Sequence, residues 1–213
     1  MVILQNPKNQ TAAFRSQCYV LFCEIFSYPD SKLLSRIEKK EWRQDFFGSM
    51  RELNFLDLKN TEILPIHFSE ISPGTYSELF DGRGSSPRVS LLERRYVDLG
   101  EQELWKKLLA FYTHFGLDFS EKPAFEQPDH LLTQTAFMHY LSFMEAGSEE
   151  SAEDLRRGQR DFLQEHLCNW LPYFCENLKV EHEVGNRAYF HIAQIFCEFV
   201  REDLGFLEKL IVS

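Results

Sequence analysis

The sequence predicts an all-α protein that forms a single globular helical domain. Apolar residues recur at helical spacing in several long segments, and no stretch of useful length alternates as a strand would. Phe occurs 20 times in 213 residues, whereas the β-branched residues that favour strands are scarce. Because 44% of the residues are hydrophobic, the chain can bury a sizeable core, and we expect one domain over residues 1–213.

The N-terminal quarter is expected to contain two or three helices. The first helix has an apolar stripe at i, i+4, i+7, i+8 and i+11, made by Phe14, Cys18, Leu21, Phe22 and Ile25. Pro29 ends this helix, because proline cannot continue the hydrogen-bond ladder. From Ser31 to about Leu56 the spacing is less regular and indicates one or two further helices.

Residues 58–98 are expected to form a loop-rich insertion with only short helical pieces. This segment concentrates the residues that interrupt regular structure, namely Pro65, Pro73, Gly74, Gly82, Gly84 and Pro87. Within it, "GTYSELFDGRG" predicts one or two helical turns that end at Gly82.

The second half of the chain returns to helical spacing. One helix is predicted from the stripe Leu104, Leu108, Tyr112 and Phe115, and Gly116 is placed to end it. The next is expected to begin at Pro128 or Asp129, where proline lacks a donor that would be unsatisfied anyway and aspartate can cap. Its core face is Leu131, Thr135, Met138 and Leu141, extended by Phe137 and Met144.

Two more helical segments complete the predicted domain. A polar connection over residues 146–154 leads into a helix from Ala152, which Pro172 ends or kinks. The closing helix is predicted from Tyr189, Ile192, Ala193, Phe196 and Val200, with "LGFLEKLI" as its continuation.

Charge and cysteine usage exclude several classes of protein. The formal net charge is -10 and no basic stripe occurs, which argues against a nucleic-acid surface. The five cysteines are odd in number and form no CxxC pair, which is typical of reduced thiols. We see no signal peptide and no run of ~18 apolar residues, so we expect a cytoplasmic protein without a membrane span.

The sequence offers little support for catalysis, a metal or a cofactor. Asp129 and His130 are adjacent, and neighbours on a helix point about 100° apart, so they do not form a preformed dyad. His130 and His139 are nine positions apart, and His166 with Cys168 does not share a helix face. The glycine-rich residues 82–87 lack the Gly-Lys-Ser/Thr ending of a phosphate-binding loop, and no GxSxG motif occurs.

A binding surface is better supported. "TYSELF" places Tyr76, Leu79 and Phe80 on one side of a short helix in the loop-rich segment. An exposed apolar groove flanked by acids would suit an apolar peptide with basic ends. The same three side chains would equally serve to anchor the loop on the core, and the sequence leaves both interpretations open.

The segment "EQPDHLLTQTAFMHYL" resembles the signature of the TorD/DmsD/NarJ family of molybdoenzyme maturation chaperones. The matching positions are Glu126, Pro128 to Leu131, Phe137, Met138 and Leu141. Looser matches follow in the family's order along nearly the whole chain, namely "FRSQCYVLFCEIFSYPD", "FYTHFGL", "HLCNWLPYF" and "AYFHIAQIFCEFV".

"TYSELFDGRGSSPRVSLLERRYVD" further resembles the chaperones that serve type II enzymes of the DMSO reductase family. Two departures weaken that subgroup assignment. Residues 87–90 replace a Pro-Cys-Pro-like run, and Gln134, Thr135 and Ala136 stand where Glu-Leu-Glu is common.

The resemblance implies a cytoplasmic helical chaperone without catalytic turnover, as a monomer or homodimer. Its partner would be the apo catalytic subunit of one molybdopterin oxidoreductase, or that subunit's twin-arginine leader, held until the cofactor is inserted. The residues that match the family's leader-binding positions are Tyr76, Leu79, Phe80, Pro128, Asp129 and His130. The alternatives are a permanent helical subunit of a redox complex and a weak guanine-nucleotide-binding protein.

Overall fold

The computed structural model describes residues 7–56, 66–82, 86–118, 127–148, 152–181 and 187–212. Within these ranges the chain is helical, and the β pairing is one isolated antiparallel bridge between Leu92 and His130. The predicted all-α class is therefore confirmed. The α-helices are α1 (Gln10–Ile25), α2 (Ser31–Glu38), α3 (Glu41–Arg51), α4 (Pro73–Tyr76), α5 (Glu101–His114), α6 (Leu131–Gly147), α7 (Ala152–Phe162), α8 (Cys168–Glu181) and α9 (Arg187–Val212).

Short polar residues begin the first two helices. The Asn9 side chain accepts a hydrogen bond from the Ala12 amide (3.0 Å), and Asp30 accepts one from the Leu33 amide (2.8 Å). Each satisfies an amide that the first turn of a helix leaves without a partner. The Asp30 cap begins α2 directly after Pro29, where the sequence predicted a break.

The helices enclose one core, in which α1 and α6 lie side by side at the centre. α3 packs on α1, α7 packs on α6 and α9, and α8 packs on α9. The core is rich in aromatic rings: Phe22 lies stacked on Phe196 (centroids 4.2 Å apart) and meets Phe46 edge-on at 5.0 Å. Such pairs add about 0.5–1.5 kcal/mol beyond the area they bury.

A buried polar cluster ties α1 to α6, α7 and α9. Arg15 on α1 is fully buried and forms an ion pair with Asp203, and its Nη1 donates to Glu145 (2.9 Å). Its Nη2 donates to Gln159 (2.7 Å), and the Tyr19 hydroxyl donates to Asp203 (2.7 Å). Because every charge has partners, the cluster satisfies the requirement for ionic groups inside a core.

The structure corrects three details of the expected helices. α6 begins at Leu131 with His130 as its cap, so the prediction that it starts at Pro128 or Asp129 with an aspartate cap is wrong. Met144 is exposed rather than part of the core face. Pro172 lies inside α8, which continues to Glu181.

The hydrogen-bond register changes before Pro172, not at it. A π-helical turn over Leu163–Leu167 joins α7 to α8, so the chain stays helical from Ala152 to Glu181. A π turn widens the helix. This one ends directly before Cys168, whose carbonyl group is the one that the Pro172 ring would crowd in a regular helix. The polar connection is also shorter than expected, because α6 extends to Gly147 and α7 begins at Ala152.

Candidate functional site

The aromatic part of the predicted site lies in the wall of the core. Tyr76 ends α4, and a π-helical turn over Ser77–Asp81 carries Leu79 and Phe80 before Gly82 ends it at φ 71°. All three predicted side chains are buried, and burial raises the pKa of Tyr76 to about 12. They therefore anchor this segment on the core, and their contact with a client peptide stays a prediction.

The acidic residue of the predicted site is already paired within the chain. Asp129 is 0% exposed, and its carboxylate accepts hydrogen bonds from Arg94 Nη1 (3.0 Å) and Trp105 Nε1 (2.8 Å). The Arg94 guanidinium also lies 5.6 Å from the centroid of the Trp105 ring. Pro128 beside it is buried as well. An arginine of a bound leader would have to displace Arg94 to reach this carboxylate.

His130 is partly exposed and caps α6. Its Nδ1 accepts a hydrogen bond from the Leu132 amide at 3.1 Å, which requires that nitrogen to be unprotonated. Burial lowers the pKa of His130. The neighbouring Asp129 carboxylate opposes this shift, and the Arg94 guanidinium adds a smaller lowering. The neutral ring is therefore the form that the folded protein favours.

This cap predicts a pH dependence of stability. Because the pKa of His130 is lower in the folded protein than in the unfolded chain, its stabilisation is present above about pH 6.5 and is lost as the pH falls below that value. We expect His130→Asn, which keeps a capping oxygen but does not titrate, to reduce the loss of stability between pH 7.5 and 5.5. Urea denaturation at both pH values measures this, and an unchanged pH dependence would contradict the assignment.

A short segment joins the two parts of the predicted site. The Val89 amide donates to the Leu79 carbonyl (3.0 Å), and two residues on, the Leu91 carbonyl accepts from the Leu131 amide (2.8 Å). The Glu93 amide then donates to the Asp129 carbonyl (2.9 Å). Residues 89–93, which we call the bridging segment, therefore couple the aromatic turn to the start of α6.

A buried polar chain holds the C-terminal end of the bridging segment. Glu93 is buried, and its carboxylate lies 2.9 Å from Nδ1 of His166 and accepts a hydrogen bond from the Gln134 amide group. The Gln134 side-chain oxygen accepts from Trp170 Nε1 (3.0 Å). A glutamate at position 134 would place a second carboxylate against Glu93, so the glutamine that departs from the family pattern fits its partner here.

A groove lies between α5 and α7, away from the predicted residues. Its volume is about 620 Å³, and Phe111, Phe115 and Gly158 contribute to its lining. A Cβ at position 158 would lie 2.2 Å from the Phe115 ring, so glycine is needed for this close approach. Within the described residues, no three His, Cys, Asp or Glu side chains are grouped to hold a metal ion.

The sequence did not indicate the residues that join the two parts of the predicted site. The side-chain hydrogen bonds of Arg94, Trp105 and Glu93 described above span 24 to 73 positions, and no short motif encodes such separations. The available signal was the charge pattern "LLERRYVD", in which an acid and two arginines interrupt an apolar stretch.

No helix in the described ranges has the length and apolar character needed to cross a bilayer.

Comparison with known proteins gives consistent matches. The family model described as "Nitrate reductase delta subunit" matches residues 74–176, which include both parts of the predicted site. The chain is 32% identical to the selenate reductase assembly chaperone protein of Thauera selenatis and 28% identical to the chlorate reductase assembly chaperone protein of Ideonella dechloratans. Each alignment covers 83% of this chain and 80% of the relative.

A more distant match extends the same group. The chain is 30% identical to the chaperone protein TorD of Vibrio parahaemolyticus serotype O3:K6, over 62% of each chain. No solved structure matches the chain.

Proposed function

Because the chain belongs to the TorD/DmsD/NarJ family of molybdoenzyme maturation chaperones, we propose that it is the assembly chaperone of one molybdopterin oxidoreductase of the DMSO reductase family. The observation that carries this proposal is the 32% identity to a selenate reductase assembly chaperone across 80% of that protein's length. The family members are assembly chaperones and not catalysts, so this protein is not an enzyme.

The proposed client is the apo catalytic subunit of that oxidoreductase, recognised in the cytoplasm before cofactor insertion and export. Its twin-arginine leader combines a cationic start with an apolar segment. The net charge of -10 supports this choice, because an acidic surface steers a cationic peptide towards the protein.

The six residues predicted from the family motif are proposed to act together in client binding. The buried side chains of Tyr76, Leu79 and Phe80 would support the backbone whose outer surface contacts the client. Pro128 and Asp129 would do the same for the start of α6, where partly exposed His130 presents a polar ring. The hydrogen bonds of the bridging segment support treating them as one unit.

A permanent helical subunit is the second candidate, and the description of the matching family model as a subunit favours it. Co-purification separates the two functions. If the protein is a chaperone, a tagged copy is expected to carry the catalytic subunit from cells that are still assembling the enzyme. The mature enzyme purified through its own tag should then lack this chain, whereas a permanent subunit would remain in stoichiometric amount.

A further inference from the structure

A path of aromatic rings leads from the surface to the interior beside the predicted site. Tyr28, which follows α1, is 54% exposed and meets Tyr76 edge-on with ring centroids 5.5 Å apart. Tyr76 and Phe80 in turn lie against Tyr189 on α9, at 6.5 and 5.2 Å. We call these four residues the Tyr28 cluster. It connects an exposed ring to a fully buried one through two predicted site residues.

The hydroxyl at the inner end of the cluster is unsatisfied. Tyr189 is fully buried, and its oxygen has no hydrogen-bond partner among the described residues. Leaving such a group unpaired costs about 1–3 kcal/mol. Burial raises the pKa of Tyr189, so the hydroxyl keeps its proton and remains a donor.

Other buried tyrosines show that this fold can satisfy such groups. The Tyr19 hydroxyl donates to Asp203 and the Tyr112 hydroxyl donates to the Pro128 carbonyl, each at 2.7 Å. An unpaired buried donor in a native protein calls for an explanation, and a ligand group that completes it is one. The Tyr189 hydroxyl is such an unpaired donor, and only the Tyr76 ring separates its ring from the exposed Tyr28 ring.

We infer that the apolar segment of the client's leader enters the Tyr28 cluster, with Tyr28 moving aside and the Tyr189 hydroxyl donating a hydrogen bond to a leader backbone carbonyl. This inference rests on the proposed function and assigns the leader's position to Tyr28 and Tyr189, which are not among the residues that match the family's leader-binding positions.

The chemistry of the cluster selects a peptide of this kind. Its rings bury apolar side chains, and its inner hydroxyl is a donor that matches a peptide carbonyl. Asp30 follows Tyr28 by two positions and Asp81 follows Phe80 by one, and both are exposed. These carboxylates give the outer edge of the cluster the charge that suits the cationic start of a leader.

Two single substitutions test the inference by calorimetry and thermal unfolding. The probe is the synthetic leader peptide of the catalytic subunit that co-purifies with the tagged chain. Tyr189→Phe is expected to weaken leader binding about 2- to 10-fold while leaving Tm unchanged or higher, because it removes an unpaired hydroxyl. Tyr28→Ala is expected to weaken binding as well, with little change in Tm, since the ring is exposed.

Tyr19→Phe is the matched control. It removes a hydroxyl that is hydrogen-bonded to Asp203, so we expect a lower Tm and unchanged leader binding. This pattern is the reverse of that expected for Tyr189→Phe. A purely structural role of Tyr189 would not lower affinity in a protein that unfolds at the same or a higher temperature.

The contrary results are distinct from one another. Unchanged leader affinity in both Tyr28→Ala and Tyr189→Phe overturns the inference but does not contradict the chaperone function. Loss of binding only in Phe115→Ala has the same consequence, because it places the leader in the groove between α5 and α7. Wild-type protein that binds the leaderless apo subunit but not the leader also overturns the inference alone. Wild-type protein that binds neither partner contradicts the proposed function.

Discussion

Arg15→Ala is expected to lower the free energy of unfolding by about 3–5 kcal/mol, the range for breaking a buried ion pair by removing one partner. The substitution leaves Asp203 buried without its cation and Glu145 with Arg156 alone, and Gln159 loses the donor to its oxygen. Because a domain of this kind is stable by only about 5–15 kcal/mol, the loss is a large part of the total. Urea denaturation followed by circular dichroism measures it.

Arg201→Ala is the matched control for this prediction. Arg201 also pairs with two acids, Glu198 and Glu202, but it is 66% exposed. Exposed pairs contribute about 0–1 kcal/mol, so this variant should unfold almost as the wild type does. Equal losses in the two arginine variants would mean that the buried cluster is not what ties α1 to the other helices.

Asp129→Ala is expected to lower the free energy of unfolding by about 1.5–3 kcal/mol, the range for hydrogen bonds to a charged group. The variant removes the acceptor of Arg94 Nη1 and Trp105 Nε1 at the point where the bridging segment meets α6. We therefore expect client binding to weaken through displacement of the bridging segment, because Asp129 is too deeply buried to meet the leader directly.

Asp45→Ala provides the comparison for Asp129→Ala. Asp45 forms an ion pair with Arg36 at 2.7 Å but is 49% exposed, so its loss should cost about 0–1 kcal/mol. If Asp129→Ala were as stable as Asp45→Ala and still bound the client weakly, Asp129 would contact the client itself, and the positioning role would be wrong.

Local patterns predicted the helices well because each depends on residues close in sequence. The stripe from Phe14 to Ile25 and the break at Pro29 specify α1 and its end, and Gly116 takes the positive φ (79°) that follows α5. The start of α6 was misplaced for a local reason. Asp129 has the side chain of a good cap, but its carboxylate is used by Arg94 and Trp105, which leaves the cap to His130.

The candidate site depends on contacts that local patterns do not encode. Pairing of Glu93 with His166 spans 73 positions, and the approach of Val89 to Leu79 depends on how the loop-rich segment folds back. The burial of Tyr76 and Phe80 likewise depends on Phe174 of α8 and Tyr189 of α9, which come much later in the chain. The sequence therefore indicates two parts of a predicted site but does not indicate which of their side chains are accessible.

The molybdenum content of the co-purified catalytic subunit tests the central claim most directly. If this protein holds its client before cofactor insertion, the subunit bound to the tagged chain should contain no molybdenum, while the subunit free of the chain is loaded. A fully loaded subunit that remains bound to the chain in stoichiometric amount would contradict the account and identify the protein as a permanent subunit.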